Sequence, residues 1–404
     1  MTATAENLPP LPVARRASCP LEPPADYERL RTACPVSQVR SPTGMQTWLV
    51  TRYEDIRAVL GDLSMSSRGA ASSHINGASH DVESIGSGNI LRLDGDAHKR
   101  LRRKVIGELT VRRVESMRPR IRQVVNDHLD RMLATQGPVD LVAEFAMPIP
   151  SLVICDLLGV PYSDRDLFLR LSSVMVDSAS TRDDTTRASK EMSDYLAALF
   201  ERKQSHPEDD LFSRLIADGK QSGDPLSLPE LVMLGLSLLV AGHETTTDMI
   251  ALSSLLLIEH PEQQRALADA PAPAVEELLR YLSVVQFGLL RHATRDTTVG
   301  GTRVSAGDWL VAALNSGNRD ETVFPHADDL DLSRQDSRTH LAFGFGPHQC
   351  IGQQLSRVEL QEALPALFAR IPALRLAVPS AELTYKNTTL VYGLKALPVR
   401  WDQA

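Results

Sequence analysis

A long apolar segment with helical spacing constrains the fold of this chain more than any other feature. The segment opens with SLPE, in which Ser227 is expected to cap a helix while Glu230 returns a hydrogen bond to the cap. Pro261 disfavours helix at the residue before it, so the helix should end at His260. About 32 residues at 1.5 Å per residue span ~48 Å. Because this helix is apolar nearly all round, it should cross the interior, with the remaining chain packed around it.

The rest of the chain predicts further helices and a smaller β-rich portion. Helical patterns prevail from Asp96 to Ile258, and later β-branched runs are split by tight turns, as in TTVGGTRVSAGDWLVAAL. MQTWLVTRY predicts a strand and EDIRAVLGD a short helix. We therefore predict a mainly α (α+β) fold in a single domain over residues 1–404. The proline-rich residues 1–40 are expected to be irregular, and the Ser- and Gly-rich residues 64–89 should form a long functional loop.

Composition and charge disfavour several classes of protein. The net charge of −8 argues against nucleic-acid binding by the whole surface. The four cysteines show no CxxC spacing, which disfavours a disulfide framework, a zinc ribbon or a cysteine-bound iron–sulfur cluster and fits a reducing cytoplasm. The N-terminal residues are polar and proline-rich, and the apolar run over residues 231–242 is too short to span a bilayer. We expect a cytoplasmic protein without a membrane anchor.

One cysteine stands in an unusually constrained stretch, HLAFGFGPHQCIGQQLSR, residues 340–357. Cys350 precedes a helical pattern, where unpaired backbone N–H groups and the helix dipole would stabilise a thiolate. Nearby glycines permit turns and close approach by a flat group, and Phe343 could pack on its face. The residues alone leave three interpretations open: a buried structural cysteine, a redox-active or nucleophilic cysteine, and a ligand. The glycines concerned are Gly344, Gly346 and Gly352.

The spacing Phe343-x-x-Gly346-x-x-x-Cys350-x-Gly352 resembles the haem-binding signature of the cytochrome P450 family. In that family the cysteine thiolate is the axial ligand of haem iron and favours O–O cleavage. The resemblance implies haem b as the cofactor and Cys350 as its metal ligand. Many members have arginine two positions before the cysteine. This chain has His348 there, which we expect to donate a hydrogen bond to a haem propionate.

The long helix carries the stretch AGHETTT, residues 241–247. Polar side chains in a buried helix often bond back to the preceding turn. However, Glu244 beside Thr245 is costly in an apolar helix unless the pair serves a water-filled pocket. The pair resembles the family's acid–alcohol pair, which implies that Thr245 hydrogen-bonds dioxygen and Glu244 relays protons to it. Ala241 and Gly242 would then leave room for haem and dioxygen.

A second resemblance concerns an ion pair in EELLR, where Glu277 and Arg280 lie three residues apart on one helix face. By themselves they would be an ordinary surface pair. In the family, a Glu-x-x-Arg pair is buried with an arginine from a later loop and supports the proximal side of the haem. Arg334 is the candidate third member, and Arg319 is the alternative.

Charged residues elsewhere match the family's propionate ligands. His98 and Arg102 lie four apart on one predicted helical face. This spacing resembles the family's His-x-x-x-Arg pair, and Arg291 resembles a propionate arginine that enters from a strand. Taken singly, each of these would be a solvated charge, and the functional interpretation rests on their agreement with the cysteine motif.

Electrons for dioxygen activation must come from outside the chain. No plausible dinucleotide-binding GxGxxG or flavin domain is evident, so the resemblance implies a ferredoxin with an NAD(P)H-dependent ferredoxin reductase. Residues 99–122 hold ten basic and two acidic side chains. This basic segment could steer an acidic ferredoxin or could be an ordinary solvated face.

The resemblance to soluble bacterial members implies a monooxygenase that inserts one oxygen atom from O2 into a lipophilic small molecule. The expected reaction is hydroxylation or epoxidation of a polyketide, macrolide, terpenoid or xenobiotic by a monomeric enzyme. Oxidative coupling, peroxide-driven oxidation, a non-catalytic haem sensor and a helical protein without cofactor remain as alternatives. The predicted substrate-lining residues are Val240, Phe287, Leu290 and Leu390.

Overall fold

The computed structural model describes residues 8–68, 88–135, 137–176, 180–387 and 389–402. The helices are α1 (Asp26–Ala33), α2 (Tyr53–Gly61), α3 (Gly95–Ile106), α4 (Val111–Ala134), α5 (Pro148–Leu158), α6 (Arg165–Val176), α7 (Arg182–Ser205), α8 (Leu211–Ser222), α9 (Leu228–Glu259), α10 (Gln264–Asp269), α11 (Pro271–Leu282), α12 (Leu314–Gly317) and α13 (Gln353–Arg370). The strands are β1 (Val36–Arg40), β2 (Gln46–Val50), β3 (Met65–Ser66), β4 (Val139–Asp140), β5 (Leu289–Ala293), β6 (Thr297–Val299), β7 (Thr302–Val304), β8 (Trp309–Ala312), β9 (Arg375–Leu376) and β10 (Pro398–Arg400). The predicted mainly α fold with a smaller β portion is confirmed.

Helix α9 has the length and the caps that its sequence predicts. It contains 32 residues, and Ser227 caps it in a reciprocal capping box with Glu230. His260 is the C-terminal cap, directly before Pro261. Most side chains of α9 are buried, because helices on several sides pack against it within one large apolar core. None of the described helices combines the length and apolar character needed to cross a membrane.

The strands form three small sheets. Five strands pair in the order β1-β2-β8-β5-β3, with β2 and β8 parallel and the other pairs antiparallel. Strands β4, β10 and β9 form a second sheet, and β6 and β7 form a hairpin. The predicted strand and short helix near the start of the chain are confirmed as β2 and α2.

The predicted irregular segment, residues 1–40, is too long. Within it, α1 occupies Asp26–Ala33 and β1 occupies Val36–Arg40. Tyr27 and Leu30 of α1 are buried, so a short amphipathic helix forms here despite the surrounding prolines. The predicted loop over residues 64–89 falls mostly outside the described residues, and its start forms strand β3.

Candidate active site

The middle of α9 is less buried than the turns on either side of it, and we call the space beside it the open space. Ala241 is exposed, and Val240, Gly242 and Thr245 are partly exposed, in a helix that is otherwise mostly buried. Cys350, just before α13, is exposed as well. The two places are close, because the Thr246 hydroxyl of α9 lies 3.3 Å from the Ser356 hydroxyl of α13.

The cysteine loop, residues 340–352, is held by its backbone. The Cys350 N–H donates to the Phe343 carbonyl at 2.9 Å, which closes the loop around a turn at Gly346–His348. Gly346 has φ +72°, and a Cβ there would lie 2.4 Å from the Leu60 carbonyl oxygen of α2. Gly352 is the N-cap of α13. Cys350 was predicted at the opening of this helix, but it lies two residues before the cap.

The protein alone does not favour the thiolate form of Cys350. Although the residue is exposed to the open space, protein surrounds its sulfur at longer range, and that burial raises the pKa of the thiol. The Gly352 N–H and the cations of Arg102 and Arg357 lower the pKa, but not enough to offset burial. The helix start lowers the cost of the thiolate without offsetting the burial of the sulfur. A bound metal ion would supply the missing positive charge, because metal coordination deprotonates a thiol.

A buried ionic network supports the loop from behind, and the sequence did not reveal it. Arg357 of α13 lies over the Phe343 ring at 4.6 Å and pairs with Glu276 of α11 at 2.6 Å. His340 contacts the other oxygen of Glu276 at 3.1 Å. Burial alone would raise the pKa of Glu276, but its hydrogen bonds from His340 and Arg357 outweigh burial and lower it to about 2. This network fixes the Phe343 side of the cysteine loop.

The predicted Glu-x-x-Arg pair lies in the interior, not on the surface. Glu277 and Arg280 of α11 are both fully buried and share two bonds of 2.7 Å. Arg334 joins Glu277 at 3.2 Å, as its role of third member requires. Arg319, the alternative, instead pairs with Asp328. Arg280 also donates to the carbonyls at residues 318 and 327, which ties α11 to the loop after α12.

The predicted propionate ligands come together beside the cysteine loop. The rings of His98 (α3) and His348 stack with centroids 4.0 Å apart, and Arg102 donates to the Gln349 carbonyl at 2.7 Å. Arg291 of β5 is buried, which lowers its pKa to about 10, and no carboxylate lies within ion-pair distance of it among the described residues. Asp94 contacts His348 at 3.4 Å. Burial and the neighbouring His98 and Arg291 lower the pKa of His348 to about 4.

Glu244 and Thr245 both lie beside the open space, with different partners. The Thr245 hydroxyl donates to the Ala241 carbonyl at 2.8 Å, so this side chain bonds back to the preceding turn. The Glu244 carboxylate is buried and lies 3.5 Å from the ammonium of Lys386. Lys386 also pairs with Asp248, one turn further along α9, at 3.0 Å. The sequence analysis missed both Lys386 and Asp248.

The small residues Ala241 and Gly242 of α9 face different neighbours. Ala241 faces the open space, as predicted. At Gly242, a Cβ would lie 3.3 Å from the side chain of Ile154 on α5. The missing side chain of Gly242 therefore leaves room mainly for α5, which corrects the expectation that it makes room for the cofactor.

Two of the four predicted substrate-lining residues are at least partly exposed, and their role stays a prediction. Val240 is partly exposed, and Leu390 is 37% exposed. Phe287 and Leu290, in contrast, are 4% and 6% exposed and belong to an apolar cluster with strands β1, β2 and β8. The prediction for these two residues is wrong: Leu290 reaches the core from strand β5, and Phe287 reaches it from the turn before that strand. Leu289, next to Leu290, is partly exposed, because successive side chains of a strand point to opposite faces.

Comparison with known proteins gives the family. The cytochrome P450 family model matches residues 160–270 and 273–371. The chain is 43% identical to cytochrome P450-SU2 of Streptomyces griseolus over 99% of its own length and 100% of the relative. It is 41% identical to the mycinamicin IV hydroxylase/epoxidase of Micromonospora griseorubida, covering 93% and 94% of the two chains. The crystal structure of cytochrome P450 MoxA from Nonomuraea recticatena matches with a TM-score of 0.90 at 44% identity, covering 98% and 99%.

The chain therefore belongs to the cytochrome P450 family. It is a haem-thiolate monooxygenase, an oxidoreductase that incorporates oxygen from O2 into a lipophilic small molecule. Its cofactor is haem, bound through a cysteine thiolate. Bacterial enzymes of this type generally take electrons from a ferredoxin and its reductase.

The residues around the open space fit a haem. Cys350 and Ala241 are both exposed, on segments that contact each other through Ser356 and Thr246. Gly352 places no side chain beside the Cys350 sulfur. Arg291 presents a guanidinium that has no carboxylate partner among the described residues, beside two stacked histidines. A haem fits both the cysteine and the cations. Its two propionate carboxylates would pair with the cationic side chains, and its iron would bind the cysteine sulfur.

Proposed function

We propose that Cys350 is the thiolate ligand of haem iron, and that the open space between α9 and the cysteine loop holds the haem and the substrate. The observation that carries this proposal is the position of Cys350. Its backbone is fixed by the bond to Phe343, and the residue is exposed just before α13, which contacts the middle of α9 through Ser356 and Thr246. A Cβ at Gly352 would lie 4.0 Å from the Cys350 sulfur, so the absence of a side chain there leaves room for the cofactor beside the sulfur.

Haem, when bound, supplies the redox chemistry that activates dioxygen. The protein's part is to hold the cofactor and to deliver protons. His98, Arg102, Arg291 and His348 would bind the propionates, and the Glu277–Arg280–Arg334 network would keep the proximal side rigid. Glu244 would relay protons towards Thr245, whose hydroxyl must leave the Ala241 carbonyl to donate into the open space.

The electron donor that we propose is an acidic ferredoxin, docking near α3 and α4. Several basic side chains of residues 99–122 pair with acids from elsewhere: Arg100 and Lys104 share Asp224, and Arg118 and Arg122 share Glu362. The predicted excess of positive charge is thus partly cancelled.

A smaller docking patch remains, consisting of Arg103, Ile106, Val111 and Arg112. Both arginines are exposed and have no ion pair within the described residues. Ile106 and Val111 are 45% and 58% exposed. Close by, Arg102 of α3 binds the carbonyl of Gln349, the residue before Cys350. A patch that combines charge with apolar surface beside the cysteine loop suits a transient electron-transfer partner.

The proposed substrate is a sizeable lipophilic secondary metabolite. The exposed and partly exposed side chains in the middle of α9 and of the strand beside the cysteine loop are mainly apolar, such as Val240, Ala241 and Leu289. Relatives are named for mycinamicin IV and for vitamin D3, which supports this class without identifying the compound.

Spectroscopy of a cysteine variant tests the proposal. Cys350→Ser should abolish the thiolate-type absorption of the reduced carbon-monoxide complex, because oxygen replaces the sulfur ligand. Cys155→Ser is the matched control, since Cys155 is buried away from the space on α5. Survival of that absorption in Cys350→Ser would overturn the assignment. A panel of lipophilic metabolites scored by shifts of the haem spectrum then narrows the substrate class.

A further inference from the structure

A buried charge cluster, which we call the Lys386 cluster, joins α9 to the end of the chain. It consists of Glu244, Asp248 and Lys386. The ammonium nitrogen lies 3.5 Å from a Glu244 oxygen and 3.0 and 3.1 Å from the two Asp248 oxygens. The Asp248 side chain is fully buried, that of Glu244 is 12% exposed and that of Lys386 is 21% exposed. Lys386 is therefore the member with most access to solvent.

The fold builds this cluster from both sides. On α9, the spacing of four residues places Glu244 and Asp248 on one face. Lys386 lies in a turn whose backbone is tied by the bond from its N–H to the Gly393 carbonyl at 2.8 Å. A Cβ at Gly393 would lie within 1.9 Å of an Asp248 oxygen, so that position admits no side chain. The Gln286 amide also binds the Lys386 carbonyl at 3.2 Å.

The charges in the Lys386 cluster do not balance when all three groups are ionised. Two carboxylates surround one ammonium, and burying the surplus negative charge is costly. Burial, together with the charge of Glu244, raises the pKa of Asp248 to about 7 against the opposing effect of Lys386. Burial lowers the pKa of Lys386, but the two carboxylates outweigh it and raise the pKa overall. The cluster therefore holds a proton on Asp248 that exchanges near neutral pH.

His243 is the other titratable group in this part of α9. Burial and the charge of Lys386 lower its pKa to about 4, so the imidazole is neutral at the pH where the enzyme works. Neither ring nitrogen has a hydrogen-bond partner among the described residues. His243 therefore adds no charge that would compete with Lys386 for the two carboxylates.

We propose that Lys386 and Asp248 form the supply side of the proton relay, with Lys386 positioning Glu244 and passing protons to it from Asp248. This inference rests on the proposed role of Glu244. The residue that faces the reacting centre is Glu244, whereas Lys386 and Asp248 act through it and are positioning and supply residues.

The proton transfer balances in two coupled steps. The ammonium of Lys386 gives a proton to the Glu244 carboxylate, so that an N–H bond breaks and an O–H bond forms. In the same event Lys386 takes the proton of the Asp248 carboxyl group, which becomes a carboxylate, so that no free amine accumulates on a side chain whose pKa is raised. A proton from water, entering through the partly exposed Lys386, then restores Asp248.

Lys386 could instead serve as a purely structural tie between the C-terminal turn and α9. Such a tie would change the stability of the protein. It would not change the pH dependence of coupling, which is the fraction of the reducing equivalents that ends in product. That fraction, product formed per NAD(P)H consumed, is therefore the readout to measure, together with peroxide release.

The experiment compares Lys386→Met, Lys386→Arg and Asp248→Asn in the haem-loaded enzyme with ferredoxin and its reductase. We expect product per NAD(P)H to fall about tenfold in Lys386→Met and Asp248→Asn, less than the roughly 10²–10⁴-fold typical of a group that exchanges protons with the reacting atoms, because both residues act through Glu244. Lys386→Arg should restore most of it. In the unaltered enzyme the ratio should fall as pH rises through about 7, because Asp248 then loses its proton, and Asp248→Asn should lack this step. Lys395→Met removes an exposed lysine of the same chain segment and should change nothing.

A measurement without turnover keeps the test independent of activity. The ferric enzyme should show an infrared carboxylic-acid band that disappears as pH rises through about 7 and that is absent in Asp248→Asn. Unchanged ratios in both Lys386→Met and Asp248→Asn, or the absence of this band, would overturn the inference. Glu244→Gln and Thr245→Ala are measured in parallel. If they also keep full coupling, the relay itself is wrong. If only Glu244→Gln and Thr245→Ala lose coupling, the relay through Glu244 and Thr245 operates without Lys386 and Asp248.

Discussion

At the scale of single residues, burial decides which charges matter. Glu277 and Arg280 are fully enclosed, and Arg280 has further bonds to backbone carbonyls alone. If the Glu277 carboxylate were removed, the guanidinium would stay buried without its counter-charge. Arg334 would lose its nearer carboxylate partner at the same time and keep, among the described residues, only Asp336, at 3.9 Å. Glu277 is thus the carboxyl group that the two arginines share.

Glu277→Ala should lower the free energy of unfolding by roughly 3–5 kcal/mol, the cost of breaking a buried ion pair. Urea unfolding of the haem-bound enzyme, followed by circular dichroism, measures it. Glu321→Ala is the control, because Glu321 is exposed and has no ion pair within the described residues. Its effect should stay within about 0.5 kcal/mol. Equal losses in the two variants would show that the Glu277 network carries no special share of stability.

The sequence predicted the residue contacts that a short motif encodes and missed those that join distant segments. Glu277 and Arg280 are three residues apart, and the family resemblance pointed to Arg334 as their partner. Asp248 and Lys386 are 138 residues apart, and no local pattern distinguishes either from a surface charge. Glu276 was hidden in the same way, since its partners His340 and Arg357 lie on other elements.

At the scale of elements, the cysteine loop depends on close contact with α2. Gly346 has φ +72° and lies against the backbone of Leu60, so a side chain there would push two backbone segments apart. Gly301, in the turn between β6 and β7, has a similar φ of +80°, but nothing lies within 4 Å of its Cβ position. A comparison of substitutions at these two glycines therefore separates the effect of backbone strain from the effect of close packing against α2.

Gly346→Ala should reduce both stability and haem content, whereas Gly301→Ala should affect haem content little. Both variants incur backbone strain of about 1–2 kcal/mol. Overpacking against Leu60 adds about 1–3 kcal/mol for Gly346→Ala alone. The ratio of haem to protein absorbance, together with thermal unfolding, measures the difference. A fall in haem content as large in Gly301→Ala as in Gly346→Ala would show that space beside α2 is not what the loop requires.

Element boundaries were predictable where local chemistry sets them. Ser227, Glu230 and Pro261 fixed both ends of α9, because capping and the proline effect act within a few residues. The orientation of side chains was harder to predict. Phe287 and Leu290 were expected at the pocket, but both lie in the core, Leu290 from β5 and Phe287 from the turn before Gly288, which has a positive φ. The face that Leu290 takes depends on the register of β5 against β8, and register depends on the whole sheet.

At the scale of the whole molecule, the distribution of charge differs from what the sequence suggests. Residues 99–122 looked strongly basic, yet Asp156, Asp224, Glu230 and Glu362 fold against them and pair with their side chains. Long-range electrostatic steering by this segment is correspondingly weaker. What remains for a partner is the docking patch defined above, in which Arg103 and Arg112 flank exposed apolar side chains.

Arg103→Ala and Arg112→Ala should each raise the KM for ferredoxin about two- to fivefold, the range expected for one exposed charge pair. The effect should shrink as ionic strength rises, because salt screens exposed charges. The reduced carbon-monoxide spectrum should stay unchanged, since neither side chain contacts the cysteine loop in the contacts described. Arg295→Ala, which removes an exposed arginine from the turn before β6, should leave the KM unaltered. If all three variants behaved alike, ferredoxin would sense overall charge rather than this patch, whereas a salt-independent KM would place its docking site elsewhere.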